Sequence, residues 1–111
     1  MTNTSLIELR DTYFFLDNNF DELKAACKTD EQRKGLSDSY TAARDNFHKA
    51  VALVFEEGDQ VVDQLTLEMK DLNATLSEMK SSLSKIAKII QLVTKVVDVG
   101  TKLVGMAKPG L

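Results

Sequence analysis

Apolar residues recur through the second half of the chain at Val62, Leu65, Met69, Leu72, Leu76, Met79, Leu83, Ile86, Ile90, Val93, Val97 and Val104, with Gly100 filling the one gap. The spacings alternate 3 and 4 over six heptads without a slip. Such a phase predicts one helix over about 59–106, laid along a partner helix with left-handed supercoiling. The two halves of this helix differ. Up to Lys80 the flanks of the seam are polar. From Ile86 onward a second stripe appears at Ile89, Leu92, Val96, Val99, Leu103 and Met106. A helix apolar over so wide an arc needs cover on two sides.

Earlier in the chain, Leu6, Leu9, Tyr13, Leu16, Phe20, Leu23 and Cys27 repeat the same spacing and predict a first helix over about 5–28. Ser5 and Glu8 have the spacing of a capping box at its start. Asp17-Asn18-Asn19 is a weak point, because these side chains compete for backbone hydrogen bonds. A turn is expected within 28–37, with Thr29, Asp30 or Ser37 as the capping residue and Gly35 as a helix end. Tyr40, Ala43, Phe47, Ala50 and Val54 then predict a second helix over about 37–57. Gly58 can close it and Asp59 can cap the next, although Val51, Phe55, Gly58 and Val62 also keep heptad phase.

The expected fold is therefore all-α: an antiparallel bundle or coiled coil of three helices with a long C-terminal helix, forming a single domain. Lys80-Ser81-Ser82-Leu83-Ser84-Lys85 offers the alternative. A turn near 81–84 would give a compact four-helix bundle. The unshifted phase through Leu83 and Ile86 favours the continuous helix. At ~1.5 Å per residue that helix spans ~70 Å, and the first two are too short to cover it. Its spare face, made of Ile86, Ile89, Ile90, Leu92, Val93, Val96, Val97, Val99, Leu103 and Val104, is then expected to meet another subunit or a partner helix.

Composition agrees with an all-α chain: 111 residues, 43% hydrophobic, 28% charged, one Pro and no Trp. The net charge of −3 gives no support to nucleic-acid binding. Charge is divided, however. Residues 1–60 hold 7 basic and 12 acidic side chains, whereas residues 61–111 hold 7 basic and 5 acidic. Lys88, Lys95 and Lys102 stand seven apart along the polar strip of the C-terminal helix, a pattern that also suits an anionic membrane surface.

Glu8, Arg10 and Asp11 interrupt any signal-peptide core, and lysines interrupt the most apolar stretch. The expected location is the cytoplasm, with signal-independent secretion as the other route. Cys27, on an apolar stripe, reads as a small buried hydrophobe. His48 reads as a boundary residue. No Gly-rich phosphate loop, metal-ligand cluster or nucleophile–base pair appears. The expectation is a non-enzyme with no cofactor, metal or small-molecule substrate: a helical assembly or adaptor protein that self-associates or binds a partner helix. The alternative is a membrane-active protein using its cationic amphipathic helix.

Overall fold

The computed structural model describes residues 4–56 and 58–110. Four helices make up most of it: α1 (Thr4–Ala26), α2 (Asp30–Val51), α3 (Gln60–Met79) and α4 (Ile86–Gly105). A 3-10 turn at Leu83–Lys85 leads into α4. Two short strands, β1 (Leu53–Val54) and β2 (Lys108–Pro109), pair antiparallel beside the ends of α2 and α4. The all-α bundle is as expected. The single helix over 59–106 is not what forms, and the four-helix alternative is.

The reason for the turn is energetic. A straight helix would leave the second apolar stripe uncovered. Folding back at Lys80–Lys85 buries Ile86, Ile89, Val93, Val96, Val97, Val99 and Leu103 within the chain. Each such side chain contributes about 1.5–3 kcal/mol on burial. The few helical hydrogen bonds given up in the turn are worth only about 0.5–1.5 kcal/mol each.

The helices form two antiparallel hairpins, α1–α2 and α3–α4. Packing one hairpin on the other sets α1 parallel to α3. Ser5 meets Thr66 and Thr12 meets Asn73, both 61 residues apart. It also sets α2 parallel to α4, where Gly35 faces Ile90 and Asn46 bonds Thr101, both 55 apart. α2 and α3 thus stand at opposite corners, and the described residues 52–56 and 58–59 lie across the end of the bundle between them. Gly58 adopts φ +83°, the left-handed region open to glycine. Asp59 follows as N-cap, its carboxylate accepting from the backbone N–H groups of Val61 and Val62 at 2.9 and 3.1 Å. The expected close of the second helix at 57 gives way to an end at Val51, since the chain is needed for this crossing. Glu57 itself lies outside the described residues. The tail after α4 folds back onto the crossing. The Gly110 N–H donates to the Ala52 carbonyl at 3.0 Å, and a Cβ on Gly110 would lie 2.7 Å from that oxygen.

The second helix also begins earlier than expected, at Asp30. Thr29-Asp30-Glu31-Gln32 carries the capping signature. The Thr29 hydroxyl oxygen accepts from the Gln32 N–H at 3.0 Å, and the Gln32 side chain accepts from the Lys28 N–H at 2.7 Å. Arg33 reinforces the turn by donating to the Cys27 carbonyl and pairing with Asp30. Gly35 and Ser37 therefore lie inside α2 and punctuate nothing. At the other expected cap, α1 is already helical at Thr4, so Ser5 and Glu8 do not cap it. α1 also runs unbroken through Asp17–Asn19, where the Asn19 side chain donates back to the Phe15 carbonyl at 2.7 Å.

Between α1 and α2 the contact is aromatic. Tyr13 stacks on Tyr40 and Phe47 with centroids 6.0 and 5.9 Å apart, and Phe20 meets Tyr40 at 5.0 Å. The Tyr40 hydroxyl donates to the Asp17 carboxylate at 2.5 Å. That bond, more than burial, pushes the Tyr40 pKa up from 10.0 to about 12. The folded chain thus holds this proton longer than the unfolded one. The stability contributed by the bond is whole below pH 10 and is lost as pH rises toward 12.

Two outcomes test this fold. Ile89→Ala, at a position with 0% exposure, should lower the unfolding free energy by about 2–5 kcal/mol in denaturant titrations at any protein concentration. Leu67→Ala, at 60% exposure, should change it by less than about 0.5 kcal/mol. In a Tyr13→Phe background, tyrosinate absorbance should place Tyr40 near pH 12. Asp17→Asn should return it toward 10, and an unmoved titration would remove the assigned cause.

Candidate functional site

α4 separates two kinds of residue that the sequence expectation grouped together. Of the ten residues expected to meet a partner, Ile86, Ile89, Val93, Val96, Val97, Val99 and Leu103 are buried, and Ile90, Leu92 and Val104 are half-buried. Their cover comes from α2, α3 and α1 of the same chain. Gly100 lies at the centre of this packing. A Cβ there would lie 3.1 Å from Leu9, 3.3 Å from Met69 and 3.6 Å from Asn46, one residue from each of the other three helices. The spare apolar face deduced from a straight helix is thus the core of the bundle.

The opposite face of α4 is solvent-exposed along its length: Ala87, Lys88, Gln91, Thr94, Lys95, Asp98, Thr101 and Lys102. Lys88, Lys95 and Lys102 fall one heptad apart, about 10 Å per step, so their ammonium groups form a line. Among the described residues none of the three makes an ion pair; the five pairs present involve other side chains. Apart from Asp98, the neighbours on this face, Ala87, Gln91, Thr94 and Thr101, are uncharged and leave the line open. This face is the candidate contact surface.

The sequence reading missed a second feature, a polar seam between α1 and α3. Ser5 and Thr66 share a hydrogen bond of 2.8 Å, and Thr12 donates to the Asn73 side-chain oxygen at 2.8 Å. The Asn73 amide in turn donates to both the backbone carbonyl and the carboxylate of Glu8, each at 3.1 Å. Ser5, Glu8, Thr12 and Thr66 are all buried. Two signals in the sequence mark the seam. Ser5 and Thr12 are seven apart beside Leu9, and Thr66 and Asn73 are seven apart on either side of Met69. Beyond the seam the same two helices border an open groove of about 470 Å³, whose lining includes Phe14, Asn18, Lys70, Ser77 and Lys80. Asn73, in mid-α3, is a structural residue of the seam.

Among the described residues no three His, Cys, Asp or Glu side chains converge in a way that could hold a metal ion. His48 is exposed at the rim of the aromatic cluster, 5.9 Å from Tyr13 by ring centroids. Cys27 is buried at the end of α1, and its thiol donates to the Leu23 carbonyl at 3.3 Å. Burial pushes its pKa up, against a smaller lowering by Arg33. No helix among the described residues is long and apolar enough to cross a membrane. Comparison with protein-family models, with curated proteins and with solved structures finds no match to the chain.

A raised pKa and a buried sulfur make Cys27 a poor nucleophile. In the native protein a chromogenic disulfide reagent should label it at least about tenfold more slowly than an exposed thiol, with full labelling after denaturation. Rapid labelling of the folded chain would overturn its assignment to the core.

Proposed function

We propose that the chain is a non-catalytic helical adaptor that contacts an acidic protein surface through the outward lysine face of α4. The observation that carries this reading is the exposed line of Lys88, Lys95 and Lys102, without an ion pair among the described residues, on a helix whose apolar face is covered by the rest of the bundle. Charge supports it. α4 carries three lysines and one aspartate, whereas α1 and α3 are each predominantly acidic. The basic face therefore stands out against an acidic remainder and steers partners of opposite sign.

The partner is a protein in this reading because of what the face lacks. An amphipathic helix that binds lipid lays apolar side chains into the acyl boundary. Here those side chains are interior, and the exposed face has nothing larger than lysine and glutamine to offer. Self-association through the same apolar residues is also closed off while the bundle is intact.

The test uses two surfaces. The protein should bind immobilised polyglutamate at low salt. Lys88, Lys95 and Lys102→Glu together should weaken that binding at least about tenfold, and the difference should shrink in molar salt, where the Debye length is about 3 Å. Binding to phosphatidylserine vesicles and not to polyglutamate would replace the protein partner with a membrane. Salt-sensitive binding to neither would remove the reading.

A further inference from the structure

The turn between α3 and α4 differs from the other two connections in what holds it. Thr29 caps α2 through its side chain, and Asp59 caps α3 behind a glycine at φ +83°. The Lys80–Lys85 segment contains neither Gly nor Pro. Among the described residues Gly58 alone has positive φ, so this turn uses no left-handed residue. Neither the 3-10 turn nor α4 receives a side-chain cap. Lys80 and Ile86, at its two ends, are in right-handed helical conformation, while Ser82 (ψ 61°) and Lys85 (ψ 33°) depart from it. Two backbone bonds close it, Ser82 N–H to Met79 and Lys85 N–H to Ser82, at 2.8 and 2.9 Å.

The hydrophobic phase meanwhile runs straight through: Leu76, Met79, Leu83, Ile86, Ile90. A turn has no need of this. Met79 and Leu83, the two seam residues at the bend, are only half-buried in the folded chain. The sequence therefore satisfies a bent and a straight α3–α4 at once, and only the need to cover α4 selects the bend.

We propose that the Lys80–Lys85 turn is an exchange hinge, and that two copies of this chain associate by straightening it and trading α4. In each copy α3 and α4 become one helix of about 46 residues, roughly 70 Å long. α4 of one copy then fills the slot vacated by α4 of the other. The occupant is a second copy because the slot is specific. It presents Leu9, Met69 and Asn46 around Gly100, where an added Cβ would lie 3.1, 3.3 and 3.6 Å from them, and Asn46 is placed to bond Thr101 at 3.1 Å. The contacts of α4 with α1, α2 and α3 are re-formed between chains, so the exchange keeps this core. At the crossing of the two straightened helices Met79 and Leu83 gain cover. Exchange of an identical element is a low-barrier route to a dimer wherever the hinge tolerates both forms. The lysine line faces outward in either form, so this inference stands apart from the proposed adaptor role.

The test marks which chain supplies α4. In a Cys27→Ala background, Asn46→Cys and Thr101→Cys place a thiol pair across α2 and α4. The protein is refolded at high concentration, separated by size and oxidised. The monomer should give an intrachain disulfide, and the dimer an interchain one that doubles the mass on a denaturing gel. Replacing Ser81, Ser82 and Ser84 with alanine favours the straight helix and should raise the dimer association constant by about tenfold or more. Inserting two glycines between Ser81 and Ser82 breaks the phase and should abolish the dimer. Scattering should show the long dimension rising from about 44 Å to at least ~70 Å. A triple-alanine protein that stays monomeric at millimolar concentration would overturn the proposal. So would a dimer whose disulfides are all intrachain.

Discussion

The structure depends on covering one face of α4. That helix is apolar over a wider arc than any other in the chain, and its inner residues reach 0% exposure at Ile89, Val93, Val96 and Leu103. Its requirements propagate outward. Covering α4 forces the bend after Met79, which makes α3 its antiparallel neighbour. A single neighbour covers only one side, so α2 must supply the other. α2 does this with a line of small and polar inward residues, Ser39, Ala43, Asn46 and Ala50, that let α4 approach. Gly100 completes the approach from the α4 side. α1 then closes the fourth side, with Tyr13 and Phe20 toward the rings of α2 and Phe15 toward the groove beside α3.

This division explains why the two hairpins are built from different chemistry. α1–α2 is held by rings and by the Tyr40–Asp17 bond; α3–α4 is aliphatic. The surfaces differ as well. Acidic side chains gather on α1 and α3, which lie side by side, and the lysine line of α4 stands diagonally across from α1. The molecule carries its charge asymmetry across its short axis, because parallel pairing of the hairpins puts like with like.

Much of this was legible in the sequence, for a physical reason. Burial on one face of a helix imposes 3–4 spacing, and the stripes of α1, α3 and α4 were readable as such; on α2 the expected line of Tyr40, Ala43, Phe47, Ala50 and Val54 gives way to Leu36, Ser39, Ala43, Asn46 and Ala50, and Val54 is exposed beyond the helix. The turn at Gly58 and the cap at Asp59 were readable because left-handed backbone and a free carboxylate are local signals. The bend at Lys80–Lys85 was readable only as the alternative: its three serines are a weak local signal, the unshifted phase through Leu83 and Ile86 argues for a straight helix, and the bend is imposed by the remote need to cover Ile86 to Leu103. The start of α2 was misplaced for the opposite reason: Gly35 and Ser37 look like punctuation, while tertiary packing carries the helix through them from Thr29. The contact face was half legible. The lysine spacing located it, but the apolar residues assigned to a partner turned out to be covered by the chain itself. The α1–α3 seam passed unnoticed because Ser, Thr and Asn beside a heptad stripe look like flanking surface until their partners are known.

That seam bears on how the chain avoids wrong packings. The aliphatic positions of four helices in heptad phase are nearly interchangeable, and a hairpin displaced by one heptad would still set Leu against Val and Ile against Met. Glu8 does not tolerate the displacement. It is buried, it accepts from the Asn73 side chain, and a shift of one heptad would separate the two. Leaving such a group without its partner costs more than the aliphatic contacts distinguish. A few buried polar atoms thereby act as an alignment mark, selecting one register from a ladder of near-equivalent ones that hydrophobic burial alone would leave degenerate.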